Sequence, residues 1–102
     1  MGNSSNVRKR KSRALKRVAL WMAQGGRCYY CSRHMVLPLK QIKGQSSPAN
    51  MATLDHMLPR SRGGTLTYGN TVLACHSCNC DKGSLTAAEY LDLLDQRRRL
   101  AG

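Results

Sequence analysis

Cys28 and Cys31 form one Cys-x-x-Cys pair, and Cys75 and Cys78 form a second. Two such pairs supply the four thiolates that a tetrahedral structural zinc site needs. The segment 32–74 between them is longer than in a simple zinc finger, so it must hold structure of its own. A closed four-ligand site leaves no open coordination position, so zinc held this way folds a protein and does no catalysis. The chain needs such a staple. With 102 residues it has room for one domain whose burial is modest, and one Trp, four Tyr and no Phe make its aromatic core thin. No N-terminal run has the continuous apolar character of a signal peptide, so metal ligation outranks disulfide pairing as the use of these cysteines. Cys80 is left over, a spare or packed thiol that, like His76 or His34, could substitute in a shuffled site. The longest apolar stretches fall short of a membrane span, which points to a soluble cytoplasmic protein with no membrane partner.

Charge narrows the partner. The formal net charge is +12, from 17 Lys and Arg against 5 Asp and Glu, and no acidic residue precedes Asp55. A field of that sign draws polyanions, and phosphate neutralisation releases condensed counterions, so affinity falls steeply with salt. Nucleic acid is the expected partner, against the blander alternatives of a solubilising surface or an anionic-membrane patch. The densest cluster is Arg8, Lys9, Arg10, Lys11, Arg13, Lys16 and Arg17.

Periodicity predicts a helix over residues 7–24, with Leu15, Val18, Ala19 and Met22 at i, i+3, i+4 and i+7 as its apolar stripe, Ser4, Ser5 or Asn6 as cap and Gly25-Gly26 as stop. Residues 40–50 (KQIKGQSSPAN) read as a loop or linker. Residues 52–56 and 71–74 are short β-prone runs that make a hairpin with a long connection containing Pro59 and the RSRGG turn. Thr86 and Glu89 frame a capping box for a C-terminal helix with Leu91 and Leu94, its acids early and Arg97, Arg98 and Arg99 late, in keeping with the helix dipole.

Within the cysteine frame lies Asp55-His56, followed by Pro59, Ser61, Gly63-Gly64 and Asn70, and the second Cys pair runs into Asn79, Lys82 and Gly83. The stretch LDHMLPRSRGGTLTYGNTVLACHSCNCDKG resembles the HNH endonuclease family in its CxxC-bearing, treble-clef-like form with a ββα-metal site, over residues 28–83. The resemblance implies an intracellular DNA-cutting hydrolase of a bacterial or phage-infected cell, similar to small phage HNH endonucleases. It implies His56 as general base, Asp55 and Asn79 as ligands of one catalytic divalent ion, and Asn70 as a supporting residue that pins the loop and helps orient the base. The third position of the family name is Asn79 here, an HNN variant similar to phage junction resolvases and the HNH domain of RNA-guided nucleases.

These residue types suit the chemistry. Phosphodiester hydrolysis needs an activated water in line with the leaving oxygen and a cation offsetting the charge that grows on the phosphorane. Imidazole, with an ordinary pKa near ~6.5, is available as a base around neutral pH. A carboxylate and a neutral amide oxygen are hard ligands, favouring Mg²⁺ or Mn²⁺ as the catalytic ion. Each residue also has a plainer reading: Asn70 and Asn79 are common capping and turn residues. Asp55 and His56, as neighbours on a strand, point to opposite faces and share a site only if a bend or a wrapped substrate intervenes. Arg60, Arg62 and Lys82 join the N-terminal cluster as phosphate contacts that position DNA without reading bases.

The expected architecture is one α+β domain: a basic helical arm over 1–26, a zinc-bound HNH core over 27–84 and a C-terminal helix of the same domain over 85–102. The implied reaction leaves 5′-phosphate and 3′-hydroxyl ends with low sequence specificity, as nicks or double-strand breaks. One site per chain makes a monomer a nicking agent, with double-strand cutting requiring two events or a dimer; monomer and dimer both stay open. Two rivals use the same cysteines and charge without cutting: a zinc-bound DNA-binding module, and a protein-interaction module serving phage packaging or recombination proteins.

Overall fold

A computed structural model of the protein describes residues 4–37 and 48–101. The loop expected at 40–50 lies outside the described residues as far as residue 47, and residues 48–50 lead through a turn into the sheet. Among the described residues the fold is a small α+β domain with a four-cysteine cluster: three α-helices around a two-stranded sheet.

Helix α1 spans Ser4–Gln24 and stops where expected. Gly25 and Gly26 take φ +62° and +73°, and their N–H groups reach back to the carbonyls of Met22 and Trp21, a Schellman closure. A Cβ on Gly26 would lie 2.9 Å from the Trp21 ring, so the turn needs glycine there. The docking face of this helix differs from the expected stripe. Leu15, Val18 and Met22 are 68%, 46% and 75% exposed, and Ala19 is exposed too. Leu20 and Trp21 pack on the core instead. Gln24 explains the choice: its side-chain amide donates to the Leu73 carbonyl (2.9 Å) and accepts from the Leu73 N–H (2.8 Å). It thus gives the Leu73 N–H its partner on the free edge of β2, where the Leu73 carbonyl also accepts from the Tyr29 N–H (3.0 Å).

A tight hairpin follows. Cys28 N–H donates to the Arg33 carbonyl, Met35 N–H to the Gly26 carbonyl, and Ser32 turns the chain at φ +64°. Strands β1 (Ala52–His56) and β2 (Thr71–Cys75) pair antiparallel, with Ala52 opposite Cys75 and His56 opposite Thr71. The long connection between them is closed by Asn70. Its side chain accepts from the Leu58 N–H (2.8 Å) and donates to the carbonyls of Thr65 (2.8 Å) and Leu58 (3.1 Å). Gly64 lies so close to this strap that a Cβ there would sit 1.6 Å from the Leu58 carbonyl oxygen.

β2 runs without a spacer into helix α2 (His76–Lys82), and the Cys75 sulfur caps it by accepting from the Cys78 N–H. Helix α3 (Ala87–Ala101) begins with a reciprocal capping box: Thr86 N–H donates to the Glu89 carboxylate at 2.8 Å, and Glu89 N–H to the Thr86 hydroxyl at 3.1 Å. Tyr90, 1% exposed, anchors α3 in a core of Leu73, Ala74, Ala52, Met35 and Tyr30.

Candidate active site and metal centre

The hairpin after α1 and the β2–α2 junction bring the two cysteine pairs together. The Sγ atoms of Cys28, Cys31, Cys75 and Cys78 all lie within 4.8 Å of one another, and those of Cys31 and Cys75 are 3.8 Å apart. Zn–S bonds of ~2.3 Å in a tetrahedron require sulfurs ~3.8 Å apart, so the four thiols fit zinc. Backbone N–H groups of Tyr30 and Cys75 point at the Cys28 sulfur (3.4 and 3.3 Å), stabilising a thiolate. At Cys28 burial opposes ionisation, but these donors and that of Cys31 outweigh it and hold the thiol below its ordinary value. Burial pushes the thiols of Cys75 and Cys78 up, so a cation is what would ionise the full set. Cys80 is exposed and lies 3.7 Å from the His76 ring, apart from the cluster; His34 pairs by backbone with Arg27 in the hairpin.

The second site adjoins the first. Asp55, His56 and Asn79 border one cavity of about 300 Å³, together with Arg60 and Lys82. Asp55 is 3% exposed, and its carboxylate accepts a 2.5 Å hydrogen bond from the Tyr30 hydroxyl and pairs with the Lys82 ammonium at 3.2 Å. Burial first, then the Asp55 hydrogen bond and charge, hold the Tyr30 phenol far above its ordinary range, so it stays a donor. His56 is half-buried at the last position of β1 and borders the same cavity as Asp55; its carbonyl accepts from the Lys82 ammonium at 3.0 Å. Asn79, on α2, donates through its amide nitrogen to the Thr53 hydroxyl at 2.9 Å. That bond commits the NH₂ group to β1 and leaves the amide oxygen as the group available to a cation.

One expectation about cations changes. Lys82 was expected to meet phosphate, yet it is 2% exposed with its ammonium turned inward to Asp55 and the His56 carbonyl. A buried ammonium needs paired acceptors, and this corner of the fold supplies them. Arg62 is at the surface but pairs with Glu89 at 2.5 Å. Arg60 is exposed, borders the cavity and has no ion pair among the described residues. Arg8, Lys9, Arg10, Lys11 and Arg13 are exposed along α1, and Lys16 and Arg17 are partly covered.

Tyr30, which holds the Asp55 carboxylate, is the residue of the candidate site that sequence reasoning missed. Its position inside the first Cys-x-x-Cys pair was the available signal, because a residue between two zinc-type ligands is held rigidly whatever its partner.

No helix among the described residues is long and apolar enough to cross a membrane. The family model for HNH endonuclease matches residues 28–85, more than half of the chain, from the first cysteine to the residue after the α2 turn. The cysteine cluster, the short hairpin and the helix that follows it all fall inside that match, and the chain belongs to the HNH endonuclease family.

Proposed function

We propose that this protein is a metal-dependent endonuclease that hydrolyses DNA phosphodiester bonds, with His56 as general base and Asp55 and Asn79 as ligands of a catalytic Mg²⁺ or Mn²⁺. The observation that carries the reading is the shared cavity bordered by Asp55, His56 and Asn79.

The donor set suits a hard divalent ion: one carboxylate whose four lone-pair positions are only partly used by Tyr30 and Lys82, and one amide oxygen. Such an ion would offset the charge that grows on the phosphate and the departing 3′ oxygen. His56, on the rim, takes the proton of the attacking water. Asn70 acts at a distance, by closing the loop that leaves the end of β1. Asn79 is oriented through Thr53, and Asp55 through Tyr30. Lys82 shares Asp55 with the incoming ion and so weakens its binding.

A non-catalytic DNA-binding module is the competing reading, and it draws on the Lys82 ammonium already paired with Asp55. Incubation of supercoiled plasmid with Mg²⁺, Mn²⁺ or EDTA separates the two. Metal-dependent nicking is expected, reduced about 10²- to 10⁴-fold in His56→Ala at unchanged zinc content. Plasmid that is shifted but uncut, or an undiminished His56→Ala enzyme, overturns the assignment.

A further inference from the structure

A second cavity, about 600 Å³, lies on the other side of His56. Its walls come from two sources: Lys9, Arg13 and Arg17 of α1, and His56, Arg60 and the loop at Gly64 and Thr65. His56 and Arg60 border both cavities, so the two are continuous at the rim of the candidate active site. Lys9, Arg13 and Arg17 stand at i, i+4 and i+8, which places them on one face of the helix. That face continues into Leu20 and Gln24, the residues that dock α1 on the sheet. The C-terminal half of the face therefore packs, and its N-terminal half carries cations out over the cleft.

Spacing and charge identify the occupant. Successive cations on this face are separated by four residues at ~1.5 Å rise, ~6 Å per step, comparable to the separation of neighbouring phosphates along a DNA strand. Among the described residues no acidic side chain borders the cleft. Arg62 and Lys82 are paired elsewhere, which leaves Arg60 as the loop cation facing it. We propose that this cleft is a track for one DNA strand, in which Lys9, Arg13 and Arg17 hold consecutive phosphates on one side of the bond presented to His56 and Arg60.

The inference rests on the nuclease reading for the identity of the strand, but its test needs no turnover. Binding of a fluorescent DNA duplex is followed by anisotropy across a salt series, without added divalent ion, in the His56→Ala background. Two double variants are compared: Lys9→Gln/Arg13→Gln on the cleft face, and Arg8→Gln/Lys11→Gln, which removes the same charge from the same exposed turns but not from the cleft. All four side chains are exposed, so neither variant threatens folding. The cleft pair is expected to lower the slope of log affinity against log salt by ~1.8, at ~0.9 per phosphate contact, and to weaken binding roughly tenfold. The control pair is expected to change both by far less. Equal losses for the two pairs, or no loss for either, overturn the track while leaving the nuclease reading standing. A parent protein that cuts plasmid and discriminates the two pairs supports both. A parent that binds no DNA sinks the track and the substrate together.

Discussion

Replacing Tyr30 by Phe removes one oxygen and keeps the ring, so its consequences can be worked out from the contacts of that atom. The hydroxyl donates at 2.5 Å to a carboxylate that is 3% exposed. A hydrogen bond to a charged group contributes about 1.5–3 kcal/mol, and removing one partner of a buried group exposes the desolvation cost of the other. Asp55 keeps the Lys82 ammonium at 3.2 Å, which places the expected loss near ~2 kcal/mol, at the lower half of that range. The ring stays edge-on against Tyr90, centroids 5.0 Å apart, so packing is unchanged. A domain of this size loses roughly 4–8 °C of Tm per kcal/mol, so a fall of about 10 °C is expected in thermal melts. Tyr90→Phe is the control. It also deletes a hydroxyl bonded to a carboxylate, but that partner, Asp81, has a 40% exposed side chain and is held by Arg97, so water and the guanidinium take up that loss; the same hydroxyl also meets the Cys78 thiol, so the two variants are compared at matched zinc content. Its Tm should fall by far less. The same Tyr30→Phe protein should need more Mg²⁺ or Mn²⁺ for half-maximal nicking, because Asp55 is free to turn toward Lys82, while its zinc content stays at wild type. A Tm within ~2 °C of wild type, together with an unshifted metal requirement, would refute the claim that this hydroxyl holds Asp55.

Gly64→Ala should lower stability by at least ~2 kcal/mol and depress nicking, since the new Cβ would meet the Leu58 carbonyl at 1.6 Å and open the Asn70 strap; Gly69→Ala, with nothing within 4 Å, should stay within ~0.5 kcal/mol, and equal urea midpoints for the two would contradict this. Stripping zinc with a strong chelator should abolish the cooperative melt, because structural zinc contributes ~10–16 kcal/mol in small zinc domains while whole domains are stable by only ~5–15 kcal/mol. Retention of the native melt by metal-free protein, checked by atomic absorption, would show that core packing suffices.

The local signals were legible. β1 occupies residues 52–56, the β-prone run closed by Pro59, and β2 runs one residue further than expected, because Cys75 pairs with Ala52 before it caps α2. Gly25-Gly26 and the Thr86–Glu89 box mark helix ends through short-range geometry that any sequence window contains. What escaped was long-range. The apolar stripe of Leu15, Val18 and Met22 has correct helical spacing yet faces solvent, since the orientation of α1 is decided by Gln24 meeting Leu73 across 49 positions. A polar residue at a helix end gives no sign in the sequence that it will pair with a strand edge. Lys82 misled for a related reason: lysine is assumed to face water, and only the simultaneous burial of Asp55 and the His56 carbonyl makes an inward ammonium favourable.

The two metal-type sites are mechanically one object. Tyr30 lies between the two cysteines of the first pair, its N–H on the Cys28 sulfur and its hydroxyl on Asp55. Asn79 follows the last cysteine of the second pair directly, on a helix capped by the Cys75 sulfur. Each Cys-x-x-Cys pair therefore carries, within one residue of a candidate zinc ligand, a side chain that belongs to or orients the proposed cation site. Four thiolates closed around one zinc ion would fix the hairpin against α2, and with it Tyr30, the partner of Asp55, against Asn79. A short chain with a thin core would gain positional accuracy in this way without enlarging the core, because a zinc ion standing in for missing hydrophobic burial would be held one residue from the groups on which the proposed chemistry depends.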